Sequence, residues 1–180
     1  MTYARLGAGG LQWPCPSDDH PGTQILHAEN FGGGPRATLR CVEHHATPER
    51  TTQPHPLLLI TGRSLYQFNA GTMTGRTRNN DLRPSDVLDI SAADATAAGV
   101  HDGDRVRVIS EYGTAVLAAR VSAAVFSGQL FATFQTKEVF LIAVTGPNRD
   151  SVVGTSEYKV TAVRIERVVD GQPAAPGRSS

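Results

Sequence analysis

Between Thr61 and Asn80 the chain reads Thr-Gly-Arg-Ser-Leu-Tyr-Gln-Phe-Asn-Ala-Gly-Thr-Met-Thr-Gly-Arg-Thr-Arg-Asn-Asn. Hydroxyls, amides, guanidinium groups and glycines dominate, and few of these side chains suit a core. A segment this long without regular structure is uncommon in a compact domain unless it binds something or is disordered, and its composition favours binding. Glycines admit close approach of the backbone to a ligand, while Thr, Asn and Arg supply donors that match phosphate oxygens and the edges of heterocycles. The plainer reading of Thr61-Gly62-Arg63 is a strand-end turn with a solvated arginine; the loop that follows tips the balance to ligand contact. Met73 could fill a core gap instead of touching a ligand.

Other residues of chemical type carry less. Asp102 and Asp104 flank Gly103 and read as turn formers rather than an acid–base pair. His44 and His45 are adjacent, so in a strand their side chains diverge, and no third ligand is near. Cys15 and Cys41 stand outside any CxxC spacing, which argues against a metal or iron–sulfur site held by this chain alone. Cys15 also lacks the neighbouring His or Lys of an activated thiolate. Trp13, between glycines and prolines, reads as a packing anchor.

The elements that must position the loop follow from periodicity. With 180 residues, 39% hydrophobic and formal net charge zero, the chain suffices for one good core. Neutrality gives no global support to polyanion binding, and no nucleic-acid partner is expected. Among the basic residues only Lys137 and Lys159 are lysines. No apolar run reaches membrane-span length, and the first residues lack the apolar segment of a signal peptide. A cytoplasmic, soluble chain is expected, any export signal lying upstream.

Residues 1–55 read as an irregular arm broken by Gly and Pro clusters, with room for short strands only at Gln24 to His27 and Ala37 to Val42; Pro48 through Pro56 resembles a linker. Residues 56–170 read as a β domain. Leu57 to Thr61 and Val87 to Ile90 are short apolar strands. Ser91-Ala92-Ala93-Asp94 opens a helix that Gly99 stops. Val and Arg alternate over Arg105 to Ser110, and Thr114 to Val121 returns as its hairpin partner. Gln129 to Phe134 and Tyr158 to Val168 supply further strands, with polar Thr145 to Thr155 between them. Many short strands with close turns predict a mainly-β small barrel or sandwich. Residues 171–180 have the composition of a flexible tail.

The order strand, Ser-x-x-Asp-Ala helix, Gly-Val, Asp-Gly-Asp turn and Arg-Val-Arg-Val strand resembles the double-psi β-barrel (aspartate decarboxylase-like) that ends molybdopterin oxidoreductases. Thr61-Gly62-Arg63, Gly71-Thr72-Met73-Thr74 and Glu157-Tyr158-Lys159-Val160-Thr161-Ala162-Val163-Arg164 match that dinucleotide-binding domain. Gly9-Gly10-Leu11-Gln12-Trp13-Pro14-Cys15-Pro16, with Asp19-His20-Pro21-Gly22-Thr23, resembles the stretch preceding it in formate dehydrogenase catalytic subunits. The resemblance covers roughly 3 to 168 and makes 1–55 the end of the preceding catalytic domain.

The resemblance implies binding of the bis(molybdopterin guanine dinucleotide) cofactor, with molybdenum or tungsten carried by the full enzyme. Gly62 and Arg63 would sit at the cofactor, Thr72, Met73 and Thr74 would line its pterin or phosphates, and Tyr66, Asn69 and Gly71 belong to the same loop. Asn148 would supply an amide from the late polar loop, and Tyr158 and Lys159 would close the other side. Gln67 and Asn69 stand where some formate dehydrogenase members carry histidines. The resemblance places the iron–sulfur cysteines, metal ligand, catalytic histidine and arginine upstream, so no catalytic or metal-ligating residue is assigned here. The chain is expected to be inactive alone and to need upstream catalytic domains or a separate large subunit, Met1 marking a truncated start or a split subunit. The alternatives are the C-terminal part of a nitrate reductase-like molybdoenzyme and a non-catalytic double-psi interaction module. Self-processing of the aspartate decarboxylase kind needs a Gly-Ser dipeptide, which does not occur.

Overall fold

Alternation decides the second half of the chain. In strand β3 (Arg105–Ile109) Val106 and Val108 are fully buried while Arg105 is exposed, and in β4 (Thr114–Val121) Ala115, Leu117 and Ala119 point inward. The two pair antiparallel, Val108 opposite Ala115. Ser110 closes the turn: its hydroxyl accepts the Tyr112 and Gly113 N–H groups and donates to the Val144 carbonyl at 2.7 Å.

The computed structural model describes residues 2–7, 9–41 and 43–169; the expected tail, 171–180, lies outside them. The chain divides into two units, Met1–His45 and Ala46–Ser180. The first holds one short helix, α1 (Tyr3–Leu6), whose first turn is capped by the Thr2 hydroxyl, and otherwise turns and extended chain. Of the expected strands, Gln24 to His27 and Ala37 to Val42, neither forms among the described residues, Val42 lying outside them. Apolar residues there have no ladder to join, and a strand without a partner leaves its backbone groups unpaired.

The second unit is a closed barrel with strand order β1-β5-β2-β4-β3-β6. Besides β3 and β4 it contains β1 (Leu57–Gly62), β2 (Val87–Ile90), β5 (Gln129–Thr133) and β6 (Val160–Arg167). Strands were expected at each of these places. Two pairs are parallel, β1/β5 and β2/β4, and the others antiparallel. Leu59, Leu88, Ile90, Val106, Val108, Leu130 and Val163 fill the interior, each completely buried.

Two short helices decorate the barrel, α2 (Asn79–Leu82) and α3 (Ala92–Ala97). Ser91 caps α3: its hydroxyl accepts the Asp94 N–H at 3.1 Å and donates to the Asp94 carboxylate at 2.7 Å. Gly99, at φ 63°, leaves the helix in the left-handed conformation. The segment between residue 46 and β1 belongs with the barrel, not with a linker. Glu49, 8% exposed, explains why: its carboxylate accepts the Ala162 N–H of β6 at 3.0 Å and the Tyr112 hydroxyl at 2.8 Å.

Candidate functional site: one rim of the barrel

Register brings the loops together. Gly62 pairs with Thr133 across β1/β5, Ala132 pairs with Leu88 across β5/β2, and Ile60 pairs with Val160 across β1/β6. The outgoing ends of β1 and β5 and the incoming ends of β2 and β6 therefore share one rim. Residues 63–86 leave and re-enter there, as do 134–159.

A buried carboxylate fastens this rim. Asp86, 1% exposed, accepts four donors from the end of β5: the Thr133 hydroxyl, the Gln135 N–H at 3.1 Å, and the Thr136 N–H and hydroxyl at 2.8 and 2.6 Å. Gln135 adds two links, its Nε2 donating to the Arg83 carbonyl at 2.9 Å and its Oε1 accepting from the Ser64 hydroxyl at 3.1 Å.

The loop itself is not formless. A 3-10 turn spans Thr74–Arg76, and α2 follows. Side-chain amides hold it in shape: Gln67 Nε2 donates to Asn80 Oδ1 at 2.8 Å, Asn80 Nδ2 donates to the Gly75 carbonyl at 2.5 Å, and Asn79 Nδ2 donates to the Tyr66 carbonyl at 2.8 Å. Gly71 has φ 65°, and a Cβ there would lie 2.6 Å from the Gln135 carbonyl oxygen. Only glycine lets the loop lie this close to the end of β5.

Between the loop and the residues after β5 lies a cleft of about 590 Å³. Gly71, Thr72, Arg76, Gln67, Gln135 and Lys137 are among the residues lining it. Gln67 is 3% exposed, yet among the described residues its Oε1 has no hydrogen-bond partner, and in the adjacent turn the buried Thr74 hydroxyl has none either. Buried polar atoms are normally paired, and these two are available to a molecule bound at the cleft. Arg76 and Lys137 supply positive charge at the exposed walls.

The opposite side of the β1 end is built differently. The Thr61 hydroxyl donates to the Tyr158 carbonyl at 2.5 Å, and the Thr61 N–H donates to the Lys159 carbonyl at 3.0 Å. Tyr158 meets Phe134 edge-on with ring centroids 5.5 Å apart, and Lys159 Nζ lies 4.9 Å from the Tyr158 centroid and 5.6 Å from that of Phe134. The Asn148 carbonyl accepts the Glu157 N–H at 2.8 Å, and its Nδ2 donates to Glu49 Oε1 at 3.1 Å. The same carboxylate pushes the Tyr112 hydroxyl up to about 12, chiefly through their hydrogen bond.

The residues singled out in the sequence thus fall into two groups on one rim. Gly71 and Thr72 line the cleft; Gly62, Asn148, Tyr158 and Lys159 do not. Arg63 donates to Asn69 Oδ1 at 2.7 Å, and Asn69 sits at φ 52°. Tyr66 and Met73 are exposed, Met73 to 69%, so Met73 fills no core gap. Gly62 has a packing reason for being glycine, since a Cβ would lie 2.6 Å from the Phe131 ring. Arg76, Asn80, Gln135 and Lys137 also line the cleft without having been singled out in the sequence, and Gln67 was noted there without a role; the polar run Gln135-Thr136-Lys137 directly after an apolar strand was the available signal.

The donor set fits a dinucleotide-extended pterin: amides for ring edges, hydroxyls and cations for phosphates. Among the described residues no group of three or more His, Cys, Asp or Glu is arranged to hold a metal ion, and no helix is long and apolar enough to cross a membrane.

Residues 57–162 match the family described as "Molydopterin dinucleotide binding domain". F420-dependent formate dehydrogenase 2 subunit alpha of Methanococcus maripaludis is 37% identical over 93% of this chain and 25% of its own length. Periplasmic nitrate reductase of Desulfovibrio desulfuricans is 29% identical over 93% of this chain and 24% of its own length. Among solved structures, acetylene hydratase from Pelobacter acetylenicus superposes with a TM-score of 0.53 over 63% of this chain and 18% of that one, at 15% identity, a likeness of fold alone. The chain spans about a quarter of the length of the curated relatives it matches.

Proposed function

The chain belongs to the molybdopterin dinucleotide-binding domain family, and from that premise we propose that its barrel rim holds the molybdopterin guanine dinucleotide cofactor within a larger oxidoreductase of the formate dehydrogenase type. The observation that carries this reading is Gln67, buried in the cleft wall with its Oε1 unpartnered among the described residues. Thr72, Arg76 and Lys137 would meet phosphate oxygens, Gln67 a ring edge, and Tyr158 and Lys159 would flank the second group of contacts. When bound, the cofactor supplies the redox chemistry through its metal. This chain's part is to bind and orient it, while the residues that grip the metal and the substrate are provided by the remaining part of the enzyme, covalently joined or as a separate subunit. The two parallel pairs, β1/β5 and β2/β4, support the double-psi form of the barrel.

Limited proteolysis of residues 63–83 with and without GDP tests the reading. GDP should protect the loop, and the combined variant Thr72→Ala, Arg76→Ala, Lys137→Ala should lose that protection while keeping its thermal midpoint. Equal cleavage with and without nucleotide would remove the basis for the reading. Formate rather than nitrate as substrate rests on the higher identity to the formate dehydrogenase subunit; formate-dependent against nitrate-dependent dye turnover by the assembled enzyme separates the two.

A further inference from the structure

Glu49, Tyr112 and Asn148 form a cluster that cofactor binding by the loop does not use. Glu49 Oε2 accepts the Ala162 N–H at 3.0 Å, and Oε1 accepts both the Tyr112 hydroxyl at 2.8 Å and Asn148 Nδ2 at 3.1 Å. A carboxylate only accepts, so the face that Asn148 turns to Glu49 must be its amino group. The Asn148 Oδ1 takes no donor from any described residue, although its backbone is pinned by Glu157, next to Tyr158. Gly146 runs close beside this cluster: a Cβ there would lie 2.8 Å from both Glu49 Oε1 and the Tyr112 ring.

We propose that Glu49 is a positioning residue that fixes the Asn148 amide with its carbonyl outward, so that Asn148 reads an amino donor on the cofactor, the 2-amino group of a 2-amino-4-oxopyrimidine ring. The inference rests on the cofactor-binding reading above. Guanine and pterin share this ring system, and a carbonyl acceptor suits the amino donor of either one.

Replacing Glu49 by Gln makes the logic testable. The Ala162 N–H can only donate, so it holds the oxygen of the new amide on its own side. The amino group of Gln then faces Asn148, which must turn its carbonyl inward and present its amino group outward. Ring preference is thereby inverted without removal of a side chain.

The experiment is a set of calorimetric titrations of the full chain with GMP against IMP, which lacks the 2-amino group, and with 6-carboxypterin against the corresponding lumazine, which carries oxygen there. One hydrogen bond of about 1 kcal/mol corresponds to roughly fivefold. Wild type should prefer the amino-bearing member of one pair by about that factor, and the pair that discriminates identifies the end of the cofactor that Asn148 meets. Glu49→Gln should bring the ratio to about one or below, and Asn148→Ala should bring it to about one. General loosening of the fold weakens both members equally and leaves the ratio unmoved. Binding of either pair without discrimination, or a preference that survives Glu49→Gln, overturns the inference while leaving cofactor binding intact. Failure of all four compounds to bind overturns both.

Discussion

Asp86 and Thr136 are joined twice through one oxygen: Asp86 Oδ2 accepts the Thr136 N–H at 2.8 Å and its hydroxyl at 2.6 Å. With Oδ1 serving Thr133 and Gln135, this single side chain determines where the wall after β5 stands relative to the entry of β2. Replacing Asp86 by Ala strands several buried donors at once. A loss of roughly 3–5 kcal/mol is expected, read as a lower urea midpoint with unchanged slope. A midpoint within error of wild type would contradict this role.

Gly71→Ala places a Cβ in a left-handed backbone conformation against the Gln135 carbonyl. The conformation alone costs about 1–2 kcal/mol, and the clash pushes the loop off the cleft wall. The variant should therefore lose both stability and GDP protection of residues 63–83. Full protection in Gly71→Ala would show that the loop does not need this approach.

Gly62 and Phe131 should be coupled. Gly62→Ala drives a methyl into the Phe131 ring, an overpacking expected to cost roughly 1–3 kcal/mol. Phe131→Leu opens that space, so the double variant should be more stable than the sum of the single effects predicts. Additive effects in the thermodynamic cycle would mean that glycine at 62 answers to something other than packing.

Tyr112 gives an alkaline signature. Its hydrogen bond to Glu49 pushes the folded hydroxyl up from 10.0 to about 12. A pKa raised on folding contributes stability that is complete below the unfolded value and fades as pH rises through the folded one. The wild-type midpoint should therefore decline between pH 10 and about 12, and Tyr112→Phe should show a flatter profile there. Identical alkaline slopes in the two proteins would rule out the bond as the cause.

Much of the barrel was legible. Alternating Val and Arg at 105–109 with the Ala and Leu pattern at 115–119 announced a hairpin, and Ser91 three residues before Asp94 announced the start of a helix. The rim was legible only in part. Gly71 and Thr72 carry their roles in local composition, whereas Asp86 and Glu49 owe theirs to partners on distant strands, as the Glu49–Ala162 bond illustrates. No local pattern marks a lone acidic residue as a hub. Gln24 to His27 erred the other way, because β-propensity without a neighbouring strand decides nothing.

The ladder that flanks β1 on both sides has a kinetic corollary. Its partners, β5 and β6, arrive some seventy and a hundred residues later in the chain, Gly62 meeting Thr133 and Leu57 meeting Val163. Such contacts give the barrel a high contact order, and domains of that kind fold slowly because long loops must close before any pairing is rewarded. The rim where β1, β5 and β6 meet cannot exist on a half-built chain. Competence to receive a cofactor should then appear late and all at once, in step with the docking of β6, rather than growing as the loop is synthesised.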